Sequence, residues 1–130
     1  MSGDDPTVQR RSALSADLLG ERMGDVPAIV IGCIEGRLPE PVSPASAVGF
    51  AAAGLPAMWS FMLAARARHL GTAWTSLHLG RERDVAEILG IPYDTVTQFC
   101  LTPVAHTIGT ELREAWRPEP DAVIHWDRWS

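Results

Sequence analysis

Lysine is absent from the 130 residues of this chain, and all 11 of its basic residues are arginine. The absence excludes a phosphate-binding P-loop lysine, a lysine Schiff base and a lysine general base. The 16 acidic residues outnumber the basic ones and give a net charge of -5. A surplus of negative charge argues against a general nucleic-acid-binding surface, so no nucleic-acid partner is expected.

Cysteine is scarce as well. Cys33 and Cys100 are too few and too far apart for a disulfide framework or a zinc ribbon. We expect two buried free thiols in a reducing compartment. The first twelve residues are polar and no apolar signal segment follows them. These features together predict a cytoplasmic protein.

The common catalytic motifs are missing too. The 4 histidines form no HExxH or HxxxH pair, no GxSxG is present, and no GxGxxG follows a predicted strand. Glu82 and Asp84 fall at a predicted helix start, where solvation and a favourable interaction with the helix dipole are their expected roles. The 5 tryptophans and the arginines near 113–117 leave two alternatives open. They either serve as structural anchors and solvated charges, or stack on a flat ligand and hold an anion.

The length of 130 residues suits one domain, and apolar periodicity and Pro/Gly punctuation predict an αβαβαβ order. The predicted elements are a helix over 13–23, a doubly buried strand over 26–34, a helix from 44–47 to about 69 with a kink or restart at Pro56, an extended segment over 70–79, a helix over 81–89, a strand over 95–107 bulged or bent near Pro103, and a short terminal strand over 122–129.

One stretch, residues 45–65, contains no charged residue. Its length would suit a membrane span, which needs about 20 apolar residues. Its many alanines and few large side chains favour a different interpretation, because small residues let a helix pack closely against a partner. We therefore predict a central helix that is buried all round, and no membrane contact.

Four segments together resemble the C-terminal portion of the nitroreductase family. They are VPAIVIGCIEGR at 26–37, LPAMWSFMLAARARHLGTAWTSLHL at 55–79, RERDVAEILGIP at 81–92 and HWDRW at 125–129. The actinobacterial branch fits best, since exclusive use of arginine suits a GC-rich genome. The resemblance covers residues from about 20 to 130.

The resemblance implies an α+β fold, with a nitroreductase-like mixed sheet and a central buried helix. It implies a homodimer that binds FMN at its interface and carries hydride from NAD(P)H to nitroaromatic, quinone or similar small aromatic acceptors by a ping-pong route. Family members pass the segment after the long helix along the isoalloxazine edge, and a basic residue before the last strand meets the FMN phosphate. Carried over to this chain, the flavin-binding residues are Trp74, Thr75, Ser76, Leu77, Arg117 and, less securely, Arg113. The 45–69 helix and the 122–129 strand would form the dimer.

The chain also departs from the family pattern. Complete members begin with a helix that carries an Arg-x-Ser-x-Arg type motif, and only about 25 residues precede the matching strand here. The Arg10-Arg11-Ser12 run lies too close to that strand to take the same place, so we interpret the domain as N-terminally truncated, with a tail over 1–24 and the family domain over 25–130. Two other functions stay open: a flavin-free dimeric binding module that keeps only the family core, and a binder of another flat anion such as a deazaflavin. A separate N-terminal chain could complete the flavin site.

Overall fold

The protein combines helices with one small antiparallel sheet. The computed structural model describes residues 6–109 and 117–129, and everything stated below refers to them. The elements in chain order are helix α1 (Pro6–Arg22), strand β1 (Ala28–Glu35), helix α2 (Pro44–Arg66), strand β2 (Leu70–Thr72), helix α3 (Glu82–Leu89) and strand β3 (Val96–His106), with short 3₁₀ helices at Met23–Asp25, Leu77–Arg81 and Pro120–Ala122. The predicted α+β class is confirmed.

The chain divides into two compact units. The larger unit, Val26–Gly109, contains the sheet, α2 and α3. The smaller unit contains α1 and the described residues from Arg117 onward. Residues 6–12, expected to be frayed, form the first turns of α1. Pro6 begins this helix, a position where proline costs no hydrogen bond.

The strand order in the sheet is β1-β3-β2, and both neighbouring pairs are antiparallel. The expected mixed sheet is therefore wrong for the described strands. Strands β1 and β2 run in the same direction, but β3 lies between them, so they never form the parallel pair that a mixed sheet requires. Strand β3 is thus the only strand to which both of the others are bonded in the described part of the sheet.

A bulge in β3 sets the distance between the sheet and α2. Gly32 pairs with Cys100 while Cys33 pairs with Gln98, which leaves Phe99 without a partner on β1. A Cβ atom placed on Gly54 of α2 would lie 2.7 Å from the Phe99 ring, and one placed on Gly32 would lie 2.5 Å from it. Glycine at both positions therefore lets the ring lie between strand and helix. The irregularity lies at Phe99, whereas the sequence predicted it near Pro103.

Helix α2 has the predicted position and is continuous through Pro56 rather than restarting there. It begins with Ser43 as N-cap, whose side chain accepts from the Ser46 backbone N–H while the Ser46 side chain accepts from the Ser43 backbone N–H, and Pro44 takes the first helical position. A reciprocal cap of this kind fixes where the helix starts.

The burial predicted for α2 is wrong in the single chain. Only Gly54, Met58 and Ala65 are buried, and these three follow one stripe that faces the sheet. Large apolar side chains elsewhere on the helix are exposed, Trp59 by 59% and Val48 by 69%. A three-stranded sheet covers one face of a helix and no more. By length and composition α2 could also cross a membrane, but one such helix is weak evidence for a membrane protein.

An ion pair fastens the start of α3 to the sheet. The Arg37 guanidinium donates from Nη1 to Glu82 Oε1 at 2.8 Å and from Nη2 to Glu82 Oε2 at 3.1 Å. Arg37 Nη1 also donates to the Val96 carbonyl at 3.1 Å, and the Gln98 backbone N–H donates to Glu82 Oε1 at 2.9 Å. The Glu82 side chain is only 15% exposed. The expectation of a solvated Glu82 is therefore wrong, because the carboxylate is needed to join α3 to β3.

Two predicted extended segments differ from the structure. Residues 70–79 form a strand only over Leu70–Thr72, and a 3₁₀ helix follows at Leu77–Arg81. The predicted terminal strand, residues 122–129, consists of turns after the 3₁₀ helix Pro120–Ala122. Asp127 has a φ of 62°, in the left-handed region that interrupts extended backbone. A terminal segment without a neighbouring strand has no ladder to hold it extended.

The Arg37–Glu82 pair predicts how stability depends on pH. Burial alone would raise the pKa of Glu82, but the Arg37 hydrogen bonds, the Gln98 amide and nearby positive charge outweigh it and lower this pKa. The ionised carboxylate therefore stabilises the fold above the unfolded-state pKa of about 4.3, and the contribution is lost as the pH falls through the lower folded value.

We expect Glu82→Gln to lower the free energy of unfolding at pH 7 by about 2 kcal/mol, the range for charge-assisted hydrogen bonds. The difference from wild type should shrink as the pH falls below about 4. Urea unfolding followed by circular dichroism at several pH values measures both effects. Asp84→Asn is the matched control, since its pair with Arg81 is exposed on the same helix. Equal losses in both variants would contradict the prediction.

Candidate functional site

Four of the predicted flavin-binding residues are consecutive and share one connection. Residues 74–77, named here the 74–77 segment, follow β2 and lead into the 3₁₀ helix Leu77–Arg81. Trp74 is 39% exposed and Leu77 is 88% exposed. The segment therefore presents side chains to the surface while both of its ends join elements that pack on β3.

Pro103 explains why β2 ends where the segment begins. Thr72 pairs with Val104, so the next residue, Ala73, stands opposite Pro103, which has no N–H to donate. The Ala73 N–H donates instead to Thr102 Oγ1 at 3.0 Å, and that hydroxyl donates to the Pro103 carbonyl at 3.3 Å. Thr102 is fully buried. Its hydroxyl thus bridges the Ala73 N–H and the Pro103 carbonyl in place of a direct ladder bond between them, while Pro103 has no N–H with which to bond the Ala73 carbonyl in return.

The segment returns to β3 at Thr75. The Thr75 N–H donates to the Leu101 carbonyl at 2.9 Å, and the Leu101 N–H donates to the Thr75 carbonyl at 2.8 Å. Backbone groups alternate along an extended strand, so the N–H groups of Trp74 and Ser76 point away from β3. Neither has a hydrogen-bond partner within residues 6–109 and 117–129. The segment therefore offers two backbone donors to a ligand.

An aromatic surface adjoins these donors. The rings of Trp74 and Phe99 have centroids 6.3 Å apart and planes inclined by 45°. This separation lies within the range of favourable aromatic pairs, so Phe99 supports the tryptophan ring while part of that ring stays exposed. A partly exposed, supported indole beside outward backbone donors suits a flat ligand with a polar edge.

A polar cluster lies where the segment joins α3. Both ring nitrogens of His78 and the Oε1 of Gln98 are buried and have no hydrogen-bond partner among the described residues. Burial lowers the pKa of His78, although the Glu82 carboxylate opposes this. Gln98 Nε2 donates to the Glu82 backbone carbonyl at 3.0 Å. This cluster was not predicted, since its members are far apart in sequence.

Arginines stack on Tyr93 beside this cluster. The Arg37 guanidinium carbon lies 4.2 Å from the Tyr93 ring centroid, and that of Arg83 lies 4.3 Å from it. Both distances are typical of cation–π contacts. The only sequence signal was an arginine shortly after the strand predicted over 26–34, which does not reveal its partners. The double burial predicted for that strand is wrong, since every residue of β1 is exposed or half-buried.

The two cysteines differ from each other. Cys100 is fully buried, as predicted, but Cys33 is exposed, and both are free. Burial raises the pKa of both thiols, and the Glu82 carboxylate raises that of Cys33 further. Neither thiol is therefore activated as a nucleophile. Nor do the described residues contain a group of histidines, cysteines and acids that could hold a metal ion.

An apolar groove lies between β1 and α2. Its volume is about 480 Å³, and Gly54, Met58, Phe61 and Phe99 are among the residues that line it. No carboxylate, histidine or arginine lines it. The groove can exclude water, but it offers little to orient a polar substrate.

The predicted phosphate-binding arginines lie elsewhere in the chain. Arg117 is exposed and belongs to the smaller unit, whereas the 74–77 segment belongs to the larger one. Arg113 lies outside the described residues. Their contact with a phosphate stays a prediction.

Comparison with known proteins agrees with the sequence resemblance. No curated protein matches the chain. The family model described as "Nitroreductase family" matches residues 6–106. The matched range contains the 74–77 segment and the Arg37–Glu82 pair, but not Arg113 or Arg117. Since the match covers more than half of the chain, this protein belongs to the nitroreductase family, a family of flavin-type oxidoreductases.

Proposed function

We propose that the protein is an FMN-dependent NAD(P)H oxidoreductase of the nitroreductase type, with nitroaromatic, quinone or similar small aromatic acceptors. One observation carries the proposal. In a chain of this family, Trp74 and Ser76 direct unpartnered backbone N–H groups outward beside a partly exposed indole ring. The family's members generally bind a flavin, whose ring is flat and whose edge carries hydrogen-bond acceptors.

The residues on the 74–77 segment suit that ring. The N–H groups of Trp74 and Ser76 could donate to the acceptors on the isoalloxazine edge, and the indole could lie against the ring. Backbone donors held in place by the Thr75–Leu101 pair do not have to reorganise during a reaction, so they stabilise developing negative charge efficiently. When bound, FMN supplies the two-electron chemistry, with NAD(P)H as donor and the aromatic acceptor reduced in a separate half-reaction.

The phosphate end of FMN needs positive charge. In this proposal Arg117 donates to the phosphate, and Arg113 assists it. A guanidinium can bind two phosphate oxygens at once, which makes it better suited than a point charge to this role. The described residues have no lysine that could replace it.

The same proposal includes a cytoplasmic homodimer. Exposed apolar side chains on α2, among them Trp59 and Leu63 at 59% and 55% exposure, need a cover that the single chain does not give them. A second copy packed through α2 would supply it, and the C-terminal segment would add to the interface. Trp126 and Trp129 in that segment are also largely exposed. Two free cysteines suit a reducing compartment.

Titration of FMN with the purified protein tests the proposal. We expect saturable quenching of flavin fluorescence, because the ring would stack on Trp74, and weaker binding of riboflavin, which has no phosphate. A preparation that is colourless and leaves FMN fluorescence unchanged would contradict the proposal. It would favour the flavin-free dimeric module instead.

Arg117→Ala tests the phosphate contact. We expect its dissociation constant for FMN to rise at least about tenfold, equal to about 1.4 kcal/mol. Binding of riboflavin should stay the same, since riboflavin has no phosphate for Arg117 to contact. Arg68→Ala is the control, because Arg68 is an exposed arginine just after α2 that donates to the Ala64 carbonyl of that helix. An unchanged constant for Arg117→Ala would remove Arg117 from the site.

Trp59→Glu tests the dimer. Placing a carboxylate in an apolar interface is costly, so we expect light scattering to show a monomer, while the wild type shows twice the 14.1-kDa chain mass. Ile88→Glu is the matched control, since Ile88 is 80% exposed on α3 rather than α2. A wild-type monomer, or a Trp59→Glu dimer, would contradict assembly through this face.

A further inference from the structure

The 74–77 segment is attached to β3 at its N-terminal end by backbone bonds. Thr75 exchanges two hydrogen bonds with Leu101, at 2.9 and 2.8 Å, and the Ala73 N–H donates to Thr102 Oγ1. These bonds fix where the segment starts. Ser76 and Leu77 lead away from the strand. They make no bond to β3 among the described residues, and the Leu77 N–H donates only to Thr75 Oγ1, at 3.4 Å.

The C-terminal end is attached by a side chain. Leu77 begins the 3₁₀ helix Leu77–Arg81, and Glu82 follows it directly. Glu82 is bonded to Gln98 of β3 twice: its Oε1 accepts from the backbone N–H at 2.9 Å, and its carbonyl accepts from Nε2 at 3.0 Å. Gln98 is only 2% exposed, so this attachment lies in the interior of the larger unit.

Arg37 completes this attachment and is itself held in place. Gly36, with a φ of 103°, turns the chain at the end of β1. Its N–H donates to the Thr95 carbonyl at 2.6 Å, and its carbonyl accepts from Thr97 Oγ1 at 2.7 Å. Arg37 then donates to the Val96 carbonyl and to both oxygens of Glu82. An arginine already held by the Val96 carbonyl and stacked on the Tyr93 ring meets the carboxylate without a large loss of side-chain entropy.

We propose that Arg37 and Glu82 are positioning residues of the flavin site. They hold the Ser76 N–H and Leu77 in the position that contact with the flavin ring requires. The inference rests on the proposed function. It adds that the C-terminal half of the 74–77 segment is oriented by an ion pair that touches no ligand. A small misplacement of a contact group is enough to weaken an interaction that depends on geometry. Loss of the Arg37–Glu82 pair should therefore weaken flavin binding.

A neighbouring ion pair provides the matched control. Arg81 and Asp84 are paired three residues apart, and their side chains are 79% and 48% exposed. This pair lies within the same part of the chain but makes no bond to the sheet among the described residues. Its loss removes one negative charge near the segment, as does the loss of Glu82, but leaves the attachment to β3 intact.

The experiment measures FMN affinity by fluorescence quenching, at a temperature where circular dichroism shows each variant to be folded. We expect the dissociation constant to rise about tenfold in Glu82→Gln and Arg37→Met. The double variant should show the same tenfold rise in the dissociation constant as each single variant, because the two residues act as one unit. Independent effects would multiply to about a hundredfold. The absorption spectrum of bound FMN should shift in all three. Asp84→Asn should stay within about twofold of wild type.

Arg37→Lys guards against variants that do not fold. It keeps the positive charge but cannot bond both carboxylate oxygens in a plane, so we expect an intermediate loss of affinity. If wild type binds FMN and every folded variant binds it with the wild-type constant and spectrum, the positioning role is overturned while the proposed function stands. Multiplying effects in the double variant would also overturn it. If wild type binds no FMN, the proposed function fails and the inference fails with it.

Discussion

Strand β3 is the constraint on which the larger unit depends. Both other strands bond to it, and Glu82 at the start of α3 bonds to its residue Gln98. Ala73, just before the 74–77 segment, bonds to Thr102, and Thr75 within the segment bonds to Leu101. A central strand normally excludes proline, since each missing donor breaks a ladder. Here the missing donor at Pro103 lies where β2 ends and the candidate site begins. The missing N–H of Pro103 thus lies at the boundary between the sheet and the 74–77 segment.

One ion pair of this unit, Arg37–Glu82, serves attachment rather than surface solubility. Glu82 is shielded from solvent and bonded by Arg37 and Gln98, whereas Asp84, two residues later, remains exposed. The difference explains why one carboxylate carries a lowered pKa and links elements that are distant in sequence. A buried ion pair is often neutral for stability compared with apolar residues. In this protein the ion pair fixes the position and orientation of the start of α3 relative to β3.

Much of the fold could be predicted from local pattern. The strand at 26–34, the long helix from Pro44 and the helix that ends at Gly90 were predicted within a few residues, because β-branched runs, a proline at a helix start and a left-handed glycine act locally. Two features were not predicted: residues 122–129 form turns instead of a strand, and β2 covers only Leu70–Thr72. An extended segment needs a neighbour, and a sequence does not show which residues face Pro103 or whether a neighbour exists.

The candidate site, too, could be predicted from the sequence only in part. The resemblance led to residues 74–77, which form one partly exposed connection in the structure, and their contact with a flavin stays a prediction. It could not lead to the Arg37–Glu82 pair, whose members are 45 residues apart and whose types are common on surfaces. Glu82 stood at a helix start, where the dipole already explained an acidic residue, so nothing local distinguished it from Asp84.

The Phe99 bulge has a consequence for how this domain can vary. One aromatic ring occupies the space that side chains at Gly32 and Gly54 would require. The total side-chain volume at these three positions is therefore limited. A larger residue on the helix requires a smaller side chain in place of the Phe99 ring. Related chains that keep the same spacing between helix and sheet should exchange volume among these positions, and a chain with three small residues there would leave a void of aromatic size.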